Sequence, residues 1–167
     1  VAPRKDAVLY LVAKGGQSAA GKGGGGNPAI ALMTVIGSNP PAKVTINEFT
    51  TIASVFTHNQ FINGTAIKGT PLALRIAAGN VPNFVDLATG GWGATIQDPL
   101  NSSQTPTMAN FATLANVLAG CTTQVTADAC SKLFAAATMP SGVVPTDTLT
   151  AAEAIAQAAQ PEAFDAE

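Results

Sequence analysis

"VLYLVAKGGQSAAGKGGGGNPAIALMTVIG", residues Val8–Gly37, decides how the chain begins. Two apolar runs, Val8–Ala13 and Ile30–Ile36, flank a glycine-rich connection. Each run is short, apolar and bounded by turn residues, which is the pattern of a strand. Between them lies Gly16-x-x-x-x-Gly21-Lys22-Gly23, close to a phosphate-binding loop. The match fails twice. The position after the lysine needs a hydroxyl to ligate magnesium, and it is Gly23. The loop must also run into a helix whose N-terminal N–H groups hold the phosphates. Here Gly24, Gly25, Gly26, Asn27 and Pro28 follow. Each glycine disfavours helix by about 1 kcal/mol relative to alanine, and Pro28 biases Asn27 away from the helical region. The loop is therefore expected to join strand to strand, and no nucleotide or other cofactor is expected.

Outward from this stretch, the composition narrows the function classes. The chain has 167 residues, enough for one domain with a real core. Only 11% of them are charged, against about 25% in an average domain. The net charge of −2 argues against nucleic acid or an anionic membrane as the main partner, since both call for basic patches. No apolar run approaches the roughly 18–20 residues of a membrane span. The first residues, Val1–Asp6, are polar and carry no initiator methionine, so the chain reads as processed or as a fragment.

After a short third strand candidate, Val44–Ile46, the period becomes helical. Asn47 is a plausible N-cap, and Phe49, Ile52, Ala53 and Phe56 share one helix face. A second helix begins at Thr70–Pro71, with Leu72 and Ile76 as its expected buried stripe and a kink at Pro82 before Phe84 and Val85. The Gly/Pro/Ser-rich loop from Ala88 to Thr107 should pack through Trp92, Ile96 and Leu100. Met108, Phe111, Leu114, Ala115 and Leu118 mark a further helix closed by Gly120, and Thr126 should cap a short one through Leu133 and Phe134. Thr150–Glu153 reads as a capping box opening the last helix, Ala151–Ala159. The expected fold is α+β and mainly α, with two or three N-terminal strands followed by about five helices. Residues 1–46 form the β element, to be completed by a partner chain, and residues 47–167 the helical domain.

Cys121 and Cys130 enclose eight residues and have too few companions for a zinc site. A local disulfide across a helix corner is preferred to free buried thiols, and it places the protein outside the cytosol. No catalytic, cofactor or metal residues emerge. The single histidine, His58, sits at a helix end and reads as a cap or surface residue. Glu48, Asp86 and Asp98 could supply paired carboxylates, but each occupies an ordinary helix-start or turn position. Trp92 in Gly90-Gly91-Trp92-Gly93 reads as an aromatic plug anchoring its loop, with sugar stacking as the alternative.

The stretches "LYLVAKGG", "NPAIALMTVIG", "VTINEFTTIASVF", "QDPLNSSQTPTMANFATLANVLAGC" and "DACSKLFAAATMP" resemble a helical module of secreted bacterial surface proteins. The resemblance covers about Leu9 to Thr150. It implies a strand ending a transthyretin-like or immunoglobulin-like β module upstream, and in some relatives an NHL-type, lyase-like β-propeller downstream. Here the β module is reduced to its last strand, and no propeller lies within the 167 residues. The resemblance brings no catalytic residues.

Two or three strands alone leave backbone N–H and C=O groups unpaired, at a cost if they are buried. Pairing with another copy would satisfy them by β-strand addition, and head-to-tail addition propagates into filaments. The expected function is therefore a secreted, non-enzymatic structural subunit at the cell surface that forms a homopolymer. Its assembly residues are Val8, Leu9, Tyr10, Leu11, Val12 and Ala13 on one strand and Ile30, Leu32 and Val35 on the other, with Val1–Asp6 as an intersubunit arm. The rival reading is an accessory binding module of a larger propeller protein, using an apolar groove of Phe49, Phe56 and Phe84. The third is a carbohydrate-binding or hydrolytic domain built on Trp92, Glu48 and Asp98.

Overall fold

A computed structural model describes residues 7–18, 25–103 and 105–159. The chain is α+β and mainly α. Two strands come first, β1 (Leu9–Lys14) and β2 (Ala31–Gly37), then helix α1 (Glu48–Thr57). A two-residue hairpin, β3 (Ile62–Asn63) and β4 (Ala66–Ile67), leads into α2 (Pro71–Phe84). Two single-turn helices, α3 (Ala94–Gln97) and α4 (Pro99–Ser102), interrupt the long loop before α5 (Thr107–Thr122), α6 (Ala129–Ala136) and α7 (Thr148–Ala158).

β1 and β2 pair antiparallel, with Tyr10 opposite Val35, Val12 opposite Met33, Lys14 opposite Ala31, and a bulge between Leu9 and Tyr10. The connection does join strand to strand. Gly15 and Gly16 have φ of 68° and 114°, which side-chain-bearing residues rarely adopt, and they turn the chain out of β1. The Gly15 N–H then reaches the Ile30 carbonyl at 2.7 Å, and the Asn27 N–H reaches that of Gly16 at 2.6 Å. Lys22 and its neighbouring glycines lie outside the described residues.

α1 is the hub of the helical layer. It touches β2, α2, α5 and α7. Asn47 caps it as expected: its side chain accepts the Thr50 N–H at 2.9 Å, and the Thr50 hydroxyl accepts the Asn47 N–H. Six consecutive residues, Thr50–Val55, are buried, which no amphipathic stripe would give. Ile52 and Val55 join Met33, Val35, Val81, Leu118 and Leu149 in the core, where each buried aliphatic side chain contributes about 1.5–3 kcal/mol.

Several local expectations are corrected. Val44–Ile46 forms no strand; Thr45 is held by its N–H and hydroxyl to the carbonyls of Leu87 and Ala88. Leu72 and Ile76 are 61% and 60% exposed, because α2 turns its small residues Ala77 and Ala78, with Val81, to the core. Leu100 is exposed, so its loop is held by Trp92 and Ile96 instead. α5 runs through Gly120 to Thr122, and Asp128, not Thr126, occupies the N-cap of α6. The capping box of α7 is Asp147 with Thr150, one turn earlier than the sequence pattern suggested.

Candidate functional site

The expected assembly residues lie on the two strands of one small sheet, and the helices treat its two edges differently. β2 is buried nearly throughout. Its edge away from β1 meets no strand among the described residues, yet the N–H groups of Ala31, Met33 and Val35 there are satisfied. The Ala31 N–H donates to the Thr148 hydroxyl at 3.0 Å, that of Met33 to the Thr51 hydroxyl at 3.0 Å, and that of Val35 to the Ser54 hydroxyl at 2.8 Å. Thr148 also returns its own hydroxyl proton to the Ala31 carbonyl at 2.6 Å. The Thr34 hydroxyl donates to that of Thr50, also on α1, at 2.7 Å. Side chains of α1 and α7 thus replace a neighbouring strand. Ile30, Leu32 and Val35, expected as assembly residues, are buried in this chain's own interior.

β1 is the opposite case. Since Ala31, Met33 and Val35 direct their N–H groups toward the helices, their cross-strand neighbours Lys14, Val12 and Tyr10 form the non-hydrogen-bonded pairs of the ladder. The backbone groups of those three residues point away from β2. No strand adjoins that edge among the described residues. Val8, Tyr10 and Val12 pack their side chains on the core, whereas Leu11 is 44% exposed. Leu9, Leu11 and Ala13 fall on the other face by alternation. Val8–Ala13 therefore keep an open edge and a half-covered apolar face; Val1–Asp6 lie outside the described residues.

Cys121 and Cys130 form a disulfide, with an S–S distance of 2.07 Å and Cα atoms 4.4 Å apart, joining the end of α5 to the first turn of α6. Buried Asn27 donates from its side-chain amide to the Cys121 carbonyl at 2.9 Å and accepts the Ala29 N–H at 3.0 Å. The start of β2 is thereby tied to the cross-linked corner.

The enzyme candidates are occupied by local structure. The Asp86 carboxylate accepts N–H bonds from Ala88 and Thr89, which hold its pKa below the usual carboxylate value. Asp98 caps α4 through the Leu100 N–H at 2.8 Å, and Glu48 opens α1. His58 is the C-cap of α1, but it is fully buried instead of surface-exposed. Its Nδ1 lies 3.1 Å from the Ser54 carbonyl and 2.9 Å from the Thr57 hydroxyl, whose own proton goes to Ala53. The Ser54 carbonyl can only accept, and the Thr57 hydroxyl can accept while it donates to Ala53, so the arrangement favours the proton on Nδ1; Nε2 has no hydrogen-bond partner among the described residues. Burial lowers the His58 pKa, against a smaller opposing effect of the Ser54 carbonyl.

Trp92 packs edge-on against Phe49, with ring centroids 4.8 Å apart, and against Phe111 at 5.6 Å, as a plug does. Phe56 and Phe84 line an apolar recess of about 190 Å³ with Phe111, and Phe49 lies outside its lining. Sequence reasoning missed the hydroxyl seam. Its trace was the placement of Thr51 and Ser54 three apart, on one helix face, inside an apolar run. It also missed Glu153, a buried carboxylate on α7. Comparison of the chain with protein-family models, curated proteins and solved structures finds no match.

Proposed function

We propose that this chain is a non-enzymatic structural subunit that self-assembles outside the cytosol by strand addition at β1. The supporting observation is the open outer edge of β1 beside a β2 edge that the chain closes for itself. An apolar edge strand with exposed backbone groups pairs readily with another chain unless charge or proline blocks it. Leu9–Ala13 contain neither, and the only charge on the strand is Lys14 at its end. The disulfide supports an oxidising compartment. In the filament, an extended segment of one copy adds to β1 of the next, and Leu11 is covered by the incoming chain.

Sedimentation velocity over a concentration series tests this. Species that grow with concentration are expected, and Val12→Pro should stop the growth. That change removes an outward N–H while leaving the ladder to β2 intact, as proline on an edge strand can. A chain that stays monomeric at high concentration would sink the proposal. A dimer that never grows would indicate β1 pairing with its own symmetry mate and exclude the filament. The recess beside Phe56 and Phe84 favours a second reading, an accessory module that seats an apolar side chain of a larger protein. Loss of partner binding in Phe56→Ala with self-association unchanged would select it.

A further inference from the structure

One recess lies away from the β1–β2 sheet. It measures about 390 Å³ and is enclosed by the β3–β4 turn, the segment joining α6 to α7, and one face of α7. Thr150, Glu153 and Gln157 follow one another along that face at spacings of three and four, as neighbours on a helix surface must. Glu153 lines the recess and is only 8% exposed. One of its oxygens accepts the Gly64 N–H at 2.9 Å.

A carboxylate offers about four acceptor positions, and a buried one without a cation is costly. The charged side chain that acts on Glu153 is Asp147, another carboxylate. No ion pair to Glu153 occurs among the described residues. Burial foremost, and Asp147 in addition, raise the Glu153 pKa against the Gly64 hydrogen bond. The side-chain amides of Asn63 and Gln157 also line the recess and form no intrachain hydrogen bond among the described residues. Met139, Val143 and Val144 supply an apolar wall, and both valines are largely exposed at its rim.

We infer that this recess binds a primary alkylammonium group, its NH₃⁺ held by Glu153, Gln157 and Asn63 and its stem lying against Met139, Val143 and Val144. Three acceptors match the three ammonium donors, and the apolar wall matches a short hydrocarbon chain. A metal ion fits less well, because no group of three or more His, Cys, Asp or Glu suited to one occurs among the described residues. A free aliphatic amine and a lysine side chain on a peptide share this chemistry.

Calorimetric or NMR titration of the intact disulfide-bonded protein tests the site with three probes: n-butylammonium, the amide of Nα-acetyl-lysine, and n-butanol as a neutral match. Saturable millimolar binding of at least one amine is expected, with n-butanol weaker by about 10-fold or more. In Glu153→Gln, which keeps an acceptor for Gly64, amine binding should weaken by a similar factor. Tighter binding of the lysine amide would identify a peptide lysine as the ligand, and tighter n-butylammonium a free amine. Equal binding of n-butanol, no saturable amine binding, or an unchanged affinity in folded Glu153→Gln would each overturn the inference. The comparison of charged and neutral probes on the wild-type protein decides it even if the variant does not fold.

Discussion

The two edges of the β1–β2 sheet face the same requirement and meet it by different means. At β2 the exposed-edge problem is solved inside the chain, by hydroxyls that Thr51, Ser54 and Thr148 bring from two helices. At β1 nothing within the described residues covers the backbone groups of Tyr10, Val12 and Lys14. A helix surface can therefore stand in for a strand, provided that small hydroxyl residues replace the aliphatic side chains that would otherwise fill the contact. That substitution trades apolar packing for hydrogen bonds, and it makes the sealed edge dependent on a few named atoms. The outer edge of β1 depends on none, since water can satisfy its backbone groups.

The comparison breaks most visibly if the seal is removed. Thr51→Val with Ser54→Ala leaves the Met33 and Val35 N–H groups buried without acceptors, at about 1–3 kcal/mol each. Urea unfolding should show the double variant destabilised by about 2–6 kcal/mol. A loss below about 0.5 kcal/mol would mean that the hydroxyls are incidental. Thr148→Val should cost about 1–3 kcal/mol by the same measurement, because one hydroxyl serves both the N–H and the carbonyl of Ala31. Asn47→Ala acts indirectly, by removing the cap that starts the helix carrying Thr51 and Ser54. It should lower stability by about 1 kcal/mol. The open edge should respond least. Leu11→Lys places a charge on the exposed face, so monomer stability should stay within about 0.5 kcal/mol of wild type. Assembly followed by light scattering should nevertheless be lost. A large drop in unfolding midpoint for Leu11→Lys would show that this face is covered within the monomer.

Much of this contrast was hidden in the sequence. The strands, the glycine connection, the Asn47 cap and the disulfide were legible because each rests on neighbours close in the chain. The apolar runs Val8–Ala13 and Ile30–Ile36 look alike, and nothing local distinguishes the sealed one from the open one. The distinction comes from Thr148, 117 residues from Ala31, and from the side chains that α1 turns toward β2. Strand parity was equally invisible. Which of Leu11 and Val12 offers its N–H outward depends on the register with β2, and both are apolar. For α2 the apolar pattern misled, because Leu72 and Ile76 are the larger residues while close packing of the helix selected Ala77 and Ala78. Glu153 was read as half of a capping box, a role that Thr150 fills with Asp147.

The position of Thr148 also sets a clock on synthesis. When Ala31 is added to the growing chain, the hydroxyl that completes its edge is 117 residues from being made. At about 5–20 residues per second, that interval is roughly 6–23 seconds. During it Thr51 and Ser54 can close the middle of β2 once α1 forms, but the strand's first residue waits for α7. A nascent chain is thus exposed to mispairing at the beginning of β2 for the whole of that interval. The first residue of β2 is open only until α7 is in place, whereas the outer edge of β1 meets no strand among the described residues even in the folded chain.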